Sequence, residues 1–362
     1  MRKFMLALLT SVGTASVLGL VVAKAQQPNS AAATHLAAAR AAATTPDAAD
    51  MVNTLCNRVI PGLTDIDPPA GARAGGRGAR GAGAEAAGGA PPARGRAAGP
   101  PARESWHADP VKLFDNLYYV GERANSIHAV TTSAGIFIIN AAFDYSIEDE
   151  VVGGFRMLGL KPEDIKAVII THAHVDHHAG ALFLQDTFKT PVYISTEDWD
   201  FMFRTPGGRA RPRRDQSLTD GQKVTIGDTT ITTYLTPGHT PGTMSLLIPV
   251  KDNGRSHMAA EWGGAGFNFT PTPQAFRTYA ASAKRMGDIA AAAGADVLLA
   301  PHPAQDGGNR KLPAMATRKA GDANPYVVGT QAVKNYFTVM QNCALYKAEL
   351  AAAATPAAGA AR

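Results

Sequence analysis

The chain has 362 residues, of which 45% are hydrophobic and 18% charged, and its formal net charge at pH 7 is +5. This length allows two or three domains if all of it folds. No stretch after the N-terminus is long and apolar enough to span a bilayer.

Residues 1–25 have the pattern of a secretory signal peptide. Arg2 and Lys3 precede an apolar stretch over residues 4–22, and Ala23-Lys24-Ala25 is a small-x-small cleavage site. We therefore expect a periplasmic or secreted protein, with no stable membrane insertion after cleavage. The alternative is an uncleaved membrane anchor, which Gly13, Thr14, Ser16 and Gly19 in the apolar stretch disfavour.

An N-terminal segment follows over residues 26–70, and residues 31–43 are too alanine-rich to support a prediction. Thr45-Pro46-Asp47 predicts the start of a helix that runs through Val59 and ends at Pro61. An oxidising compartment would let Cys56 and Cys343 pair, so we predict a disulfide between this segment and the last helix. The alternative is two unrelated buried thiols.

Residues 71–103 consist almost entirely of Gly, Ala, Pro and Arg, which predicts a disordered linker. They contain six arginines and one glutamate, an excess of five positive charges that equals the net charge of the whole chain. The remainder is therefore close to neutral. This arm is interpreted as a solvated linker, and the alternative is contact with an anionic envelope surface or nucleic acid.

The folded domain is predicted over residues 104–353. Apolar and β-branched runs predict two groups of strands, each followed by helices. In the first group strands are expected at 117–120, 126–131, 135–139, 165–170 and 192–195, with helices at 146–158, at 179–188 and after Thr196. In the second group they are expected at 223–226, 229–235, 244–250, 257–260 and 297–299, with helices at 273–293 and 326–350. This order predicts an α+β fold with two sheets face to face and helices on their outer faces.

The richest chemistry lies directly after the strand at 165–170, in Thr171-His172-Ala173-His174-Val175-Asp176-His177-His178. On an extended backbone His172 and His174 point the same way and can bind one ion, while a turn would aim Asp176 and His177 at a second position. Two further histidines follow later strands: His239 in Thr-Pro-Gly-His-Thr-Pro-Gly, and His302 in Pro-His-Pro. Imidazoles with a single carboxylate suit Zn²⁺.

These three motifs, in this order, resemble the metallo-β-lactamase superfamily with its αββα sandwich, and most closely subclass B3. The resemblance implies two Zn²⁺ per chain, one on His172, His174 and His239. The second would be bound by Asp176, His177 and His302.

The function that the resemblance implies is hydrolysis of the amide of β-lactam antibiotics, and hence antibiotic resistance, by attack of a metal-bound hydroxide. Asp176 would be the catalytic residue that orients the nucleophile. One carboxylate leaves two ions under-neutralised, so a small anionic substrate is expected. No nucleic-acid partner is expected, and the oligomeric state is left open.

One departure keeps the substrate open. Lactonase-like members of the superfamily have a bridging Asp after the strand that corresponds to 257–260, where this chain has Glu261-Trp262-Gly263-Gly264. We expect Trp262 where subclass B3 has a small polar residue, and Glu261 is an alternative metal ligand. A related two-metal hydrolase of lactones, thioesters or other esters is therefore the second hypothesis, and a non-catalytic metal-binding or envelope protein the third.

Other polar residues carry weaker signals. His178 is expected to support the ligands rather than bind metal, and His107, His128 and His257 are expected to be surface or packing residues. Tyr145 either lines the groove or belongs to the core. The loop 205–214 has four arginines that either overhang the site and attract a carboxylate or are simply solvated.

Overall fold

The computed structural model describes residues 30–61 and 99–354. The predicted signal peptide, residues 1–25, and residues 71–98 of the predicted linker 71–103 lie outside these ranges. Within the described ranges no helix is long and apolar enough to cross a membrane.

The first sheet has seven strands in the order of the chain. Its first four strands are antiparallel, and the pairs from the fourth to the seventh are parallel. The strands are β1 Val111–Lys112, β2 Leu117–Tyr119, β3 His128–Thr132, β4 Gly135–Ile139, β5 Ile165–Ile169, β6 Val192–Ser195 and β7 Gln216–Leu218.

The second sheet has five strands in the order β12-β11-β10-β9-β8. All its pairs are antiparallel except β11 with β12. The strands are β8 Lys223–Ile226, β9 Thr229–Leu235, β10 Met244–Asp252, β11 Arg255–Glu261 and β12 Val297–Leu299.

The helices cover the outer faces of both sheets. They are α1 Ser30–Ala42, α2 Pro46–Met51, α3 Arg103–Trp106, α4 Gly154–Leu158, α5 Val175–His178, α6 Ala181–Phe188, α7 Thr196–Arg204, α8 Pro273–Ala292, α9 Pro303–Asp306, α10 Gly308–Ala316 and α11 Thr330–Ala354. A π-helical turn, Val52–Cys56, follows α2, and another, Glu148–Gly153, precedes α4. Pro162–Asp164 is a 3-10 turn.

Three apolar layers hold these elements together. The middle layer lies between the sheets and combines side chains such as Phe137 and Ile169 with Leu246 and Ile248. One outer layer packs α6 and α7 on the first sheet, and the other packs α1, α8 and α11 on the second. Burial of the apolar faces on both sides of each sheet is what stabilises this arrangement. The predicted α+β sandwich is confirmed.

The N-terminal segment is part of the outer layer on the second sheet. Helix α1, for which the alanine-rich sequence supported no prediction, buries Ala32, Leu36 and Ala39 in that layer. The predicted disulfide between Cys56 and Cys343 is confirmed, and it joins positions 287 residues apart. Because Cys343 lies on α11, the bond attaches the N-terminal segment to the last helix.

Some predicted boundaries were wrong. Helix α2 starts at Pro46 with Thr45 as its cap, as expected, but helical structure ends at Cys56, and Val59 is 67% exposed. The last helix begins at Thr330 rather than 326, because Gly329 has a φ of 87°. Strand β7 and helix α10 were missed: β7 buries only Leu218, and α10 contains Pro313.

Candidate metal centre

Strand β5 delivers the histidine motif to the edge where the two sheets meet. The loop after it is fixed at Thr171, whose backbone N–H donates to Asn140 Oδ1 at 3.0 Å and whose carbonyl accepts from Met244 N at 2.7 Å. Since Asn140 follows β4 and Met244 begins β10, one residue ties the loop to both sheets. His174 then becomes the N-cap residue of the short helix α5, which carries Asp176 and His177.

The first expected ligand set comes together: the possible ligand atoms of His172, His174 and His239 all lie within 4.8 Å of one another. His172 and His239 are buried and His174 is half-buried. The Nε2 atoms of His172 and His239 are 3.1 Å apart. The three rings therefore converge on one point.

The tautomers of two of these imidazoles follow from their other contacts. His172 Nδ1 donates to the carbonyl of Gly263 at 2.8 Å, and His239 Nδ1 donates to the carbonyl of Gly266 at 2.6 Å. Both Nε2 atoms then carry lone pairs, because a neutral imidazole has a single N–H. Two lone pairs facing each other at 3.1 Å repel unless a cation lies between them, so this donor set fits a metal ion.

The second expected set also comes together. His177 Nε2 and His302 Nε2 are 3.2 Å apart, and Asp176 Oδ2 lies 3.4 Å from the former and 3.7 Å from the latter. His302 Nδ1 donates to the carbonyl of Ala124 at 2.8 Å, which again leaves Nε2 as the free acceptor. This set has a carboxylate that the first lacks.

Burial sets the charge of these residues. It lowers the pKa of His172 and His239 well below the ordinary value and lowers the pKa of His177 to about 3, so all three are neutral at pH 7. Burial acts to raise the pKa of Asp176, but the neighbouring imidazoles, His177 first, bring it down to about 2. Neutral imidazoles and one carboxylate are the protonation states that zinc binding requires.

Asp198 holds the two histidine-bearing loops together, a role that the sequence did not reveal. Its carboxylate accepts from Ala173 N at 2.8 Å, Thr240 Oγ1 at 2.7 Å and Gly242 N at 2.7 Å. Burial raises its pKa to about 6, and these three donors act to lower it. The sequence predicted only that a helix follows Thr196, and the side chain that caps this helix is that of Ser195.

The segment after β11 differs from the expectation. Glu261 is fully buried and belongs to neither ligand set; its Oε2 lies 3.5 Å from Nδ1 of His128, which is itself buried. Trp262 points into the outer layer, where its Nε1 donates to Tyr279 Oη at 3.1 Å. Gly264 is the residue beside the metal centre, where a Cβ would lie 2.4 Å from His239 Cδ2.

The remaining candidates lie around the centre. His178 is buried and belongs to neither ligand set, as expected. His107 contacts Glu150 and His257 contacts Asp296, each at 2.7 Å. Tyr145 stacks on Phe143 and is contacted by Arg209 of the loop 205–214.

Comparison with known proteins agrees with this architecture. Residues 144–252 match the family model of the metallo-β-lactamase superfamily. Among solved structures, BJP-1, a subclass B3 metallo-β-lactamase of Bradyrhizobium japonicum, is similar with a TM-score of 0.56 and 27% identity, over 63% of this chain and 89% of that one. FEZ-1 of Legionella gormanii, a metallo-β-lactamase, is similar with a TM-score of 0.55 and 26% identity, over 64% and 91%.

Similar curated sequences match a shorter part. The probable polyketide biosynthesis zinc-dependent hydrolase BaeB of Bacillus velezensis is 36% identical over 85 residues, which are 24% of this chain and 35% of the relative. The N-acyl homoserine lactonase AttM of Rhizobium radiobacter is 33% identical over 112 residues, 27% of this chain and 41% of the relative. The chain thus spans well under half the length of these relatives.

Proposed function

The chain carries a domain of the metallo-β-lactamase superfamily, and from that premise we propose that it is a zinc-dependent hydrolase that opens the amide of β-lactams. The observation that carries the proposal is the pair of adjacent three-residue sets, one of imidazoles alone and one with a carboxylate. The B3 metallo-β-lactamases among the similar structures support the choice of substrate.

Six side chains would hold the zinc: His172, His174 and His239 would bind one ion, and Asp176, His177 and His302 a second. Bound zinc supplies Lewis acidity, which polarises a carbonyl and lowers the pKa of water. Asp176 is ionised at neutral pH, so its carboxylate accepts a hydrogen bond from the attacking water and orients it. The hydrogen bonds to Gly263 and Gly266 keep His172 and His239 in the ligand tautomer.

A lactone or other ester is the second candidate substrate, because AttM, an N-acyl homoserine lactonase, matches this chain at 33% identity. Glu261 stands where lactonase-like members have the bridging Asp, and it belongs to neither ligand set, which speaks against this substrate.

The test gives the zinc-loaded full-length protein a chromogenic cephalosporin, an acyl homoserine lactone and a thioester. We expect cephalosporin turnover, and a loss of more than about 100-fold in kcat/KM in His172→Ala and in Asp176→Ala. His35→Ala is the matched control, because His35 contacts Asn342 on α11 and lies outside both ligand sets. Lactone turnover without cephalosporin turnover would replace the substrate, and unchanged turnover in either ligand variant would refute the centre.

The compartment in which the protein works is a separate proposal. We propose that the protein works outside the cytoplasm, supported by the signal-like sequence of residues 1–25 and by the disulfide, which persists in oxidising compartments. Recovery of the mature chain, cleaved after Ala25, from the periplasm or medium tests this. Recovery from the cytoplasm with residues 1–25 intact would contradict it.

A further inference from the structure

Arg209 differs from the other paired arginines of the loop 205–214. Arg213 and Arg214 pair with Asp186 at 2.7 Å and Asp200 at 2.8 Å through side chains that are 61% and 46% exposed. Arg209 also pairs with a carboxylate, that of Asp144 at 2.8 Å, but its guanidinium lies 4.9 Å from the ring centroid of Tyr145. It is therefore held over an aromatic surface.

That surface is made by two stacked rings. Phe143 and Tyr145 have centroids 5.0 Å apart and an interplanar angle of 11°, and Arg209 lies 5.3 Å from the Phe143 ring as well. Trp106 packs beside Tyr145 at 5.6 Å. Stacking on aromatic rings orients a guanidinium and leaves its N–H edges free to bind. Arg209 is 42% exposed, so those edges are accessible.

The segment that carries both rings is joined to the second ligand set. Ala141 N donates to the carbonyl of His177 at 2.8 Å, and Gly180 N donates to the carbonyl of Ala142 at 3.2 Å. These bonds bracket helix α5, which carries Asp176 and His177. The aromatic surface with Arg209 therefore forms part of the rim of the metal centre.

On the opposite side, the end of β11 offers no cation. Residues 262–266 read Trp-Gly-Gly-Ala-Gly, and the tryptophan points into the outer layer. Arg211 is half-buried, and its guanidinium donates to the carbonyl of Thr205. Arg209 is thus a partly exposed cation on this rim, where it can meet an anionic group of a substrate bound at the metal centre.

We propose that Arg209, held on Phe143 and Tyr145, is a substrate-binding residue that takes the carboxylate of an anionic substrate. This rests on the proposed hydrolase function. A guanidinium has five N–H donors, and the contact with Asp144 Oδ1 uses the NH1 group only. The remaining edge matches a carboxylate in the two-bond geometry that arginine favours. The subsite selects substrates with a carboxylate over neutral analogues.

The first test compares a carboxylate-bearing cephalosporin with its neutral ester on zinc-loaded protein. In Arg209→Met we expect KM for the carboxylate substrate to rise about tenfold, with kcat and the KM of the ester unchanged. Arg213→Met and Arg214→Met are matched controls from the same loop, and we expect both to behave as wild type. Equal KM values in wild type and Arg209→Met would refute the subsite.

A second variant separates binding from anchoring of the loop. Asp144→Asn removes the protein's own carboxylate from Arg209, so a binding role predicts a KM for the carboxylate substrate that is unchanged or lower. If Arg209 only anchors the loop, Asp144→Asn raises KM as Arg209→Met does, which overturns the proposal.

A binding measurement keeps the subsite testable even if cephalosporins are not turned over. Calorimetric titration with a ring-opened, carboxylate-bearing cephalosporin needs no catalysis. About tenfold weaker binding to Arg209→Met than to wild type supports the subsite, and equal binding refutes it. Absence of turnover in wild type refutes the proposed function alone.

Discussion

Individual hydrogen bonds determine how the histidines of the metal centre are presented. The carbonyls of Gly263, Gly266 and Ala124 each accept from one imidazole Nδ1, so the Nε2 atoms of three histidines face inward. Backbone carbonyls do not change with side-chain substitution, which makes this orientation robust. The two histidine-bearing loops, in contrast, are joined through a side chain, that of Asp198.

We predict that Asp198→Ala lowers both stability and metal affinity. The change leaves two backbone N–H groups and the Thr240 hydroxyl without their buried acceptor, at a cost of roughly 1–3 kcal/mol each in unfolding free energy before relaxation. Because Ala173 and Thr240 flank ligands of the first set, affinity there should fall about 10- to 100-fold.

Urea denaturation and competition for zinc with a chromophoric chelator measure the two effects. Asp186→Ala, an exposed carboxylate paired with Arg213, is the control and should change neither. Wild-type zinc affinity in Asp198→Ala would show that the loops hold their geometry without this carboxylate.

At the level of helices and strands, the N-terminal segment supports the part of the chain that follows His302. Asp47 near the start of α2 pairs with Arg310 and Lys311 of α10, and Lys311 Nζ lies 2.6 Å from its Oδ2. Asp47 and Lys311 are both buried, so loss of Asp47 would leave the Lys311 ammonium without its paired carboxylate. Helix α1 and the disulfide hold this segment on α11.

We predict that the double variant Cys56→Ser/Cys343→Ser is about 2–5 kcal/mol less stable than wild type, because the cross-link no longer restricts the unfolded chain. Thermal unfolding with and without a thiol reductant measures this. Reductant should lower the Tm of wild type to that of the variant and leave the variant unchanged. A variant as stable as oxidised wild type would mean that packing of α1 on α11 suffices.

For the molecule as a whole, the two sheets meet at a centre whose side chains form two candidate metal sites. Buried neutral imidazoles face each other there, so bound metal stabilises the folded state by mass action. Without metal, the same residues make the fold sensitive to acid.

We predict that chelation lowers Tm and that the metal-free protein loses stability as pH falls. The folded-state pKa of His177, about 3, lies below the ordinary value near 6.5, so the unfolded chain binds more protons between them. The contribution of buried His177 to the unfolding free energy is therefore complete above about pH 6.5 and is lost as pH falls toward 3.

Denaturation of chelated protein between about pH 5 and 7.5 tests the sign. The unfolding free energy should rise with pH, with a shallower slope in His177→Asn. A flat profile would show that the metal-free histidines are not buried as described.

Much of this molecule was predictable from its sequence because the signals are local. The apolar runs at 165–169, 192–195 and 223–226 became strands, Gly159 with a φ of 72° ended α4, and the three histidine motifs identified all six side chains of the two sets. Such features depend on backbone geometry and side-chain chemistry within a few residues. The disulfide was also expected, from cysteine count and compartment.

Only the tertiary structure decided the features that join distant segments. It turned Trp262 into the outer layer, placed Glu261 3.5 Å from His128, and placed Arg209 over Tyr145. No local pattern encodes these contacts, because they depend on how two sheets and their helices pack. The sequence by itself determined which residues can bind metal, and the packing of the sandwich decided where they meet and what surrounds them.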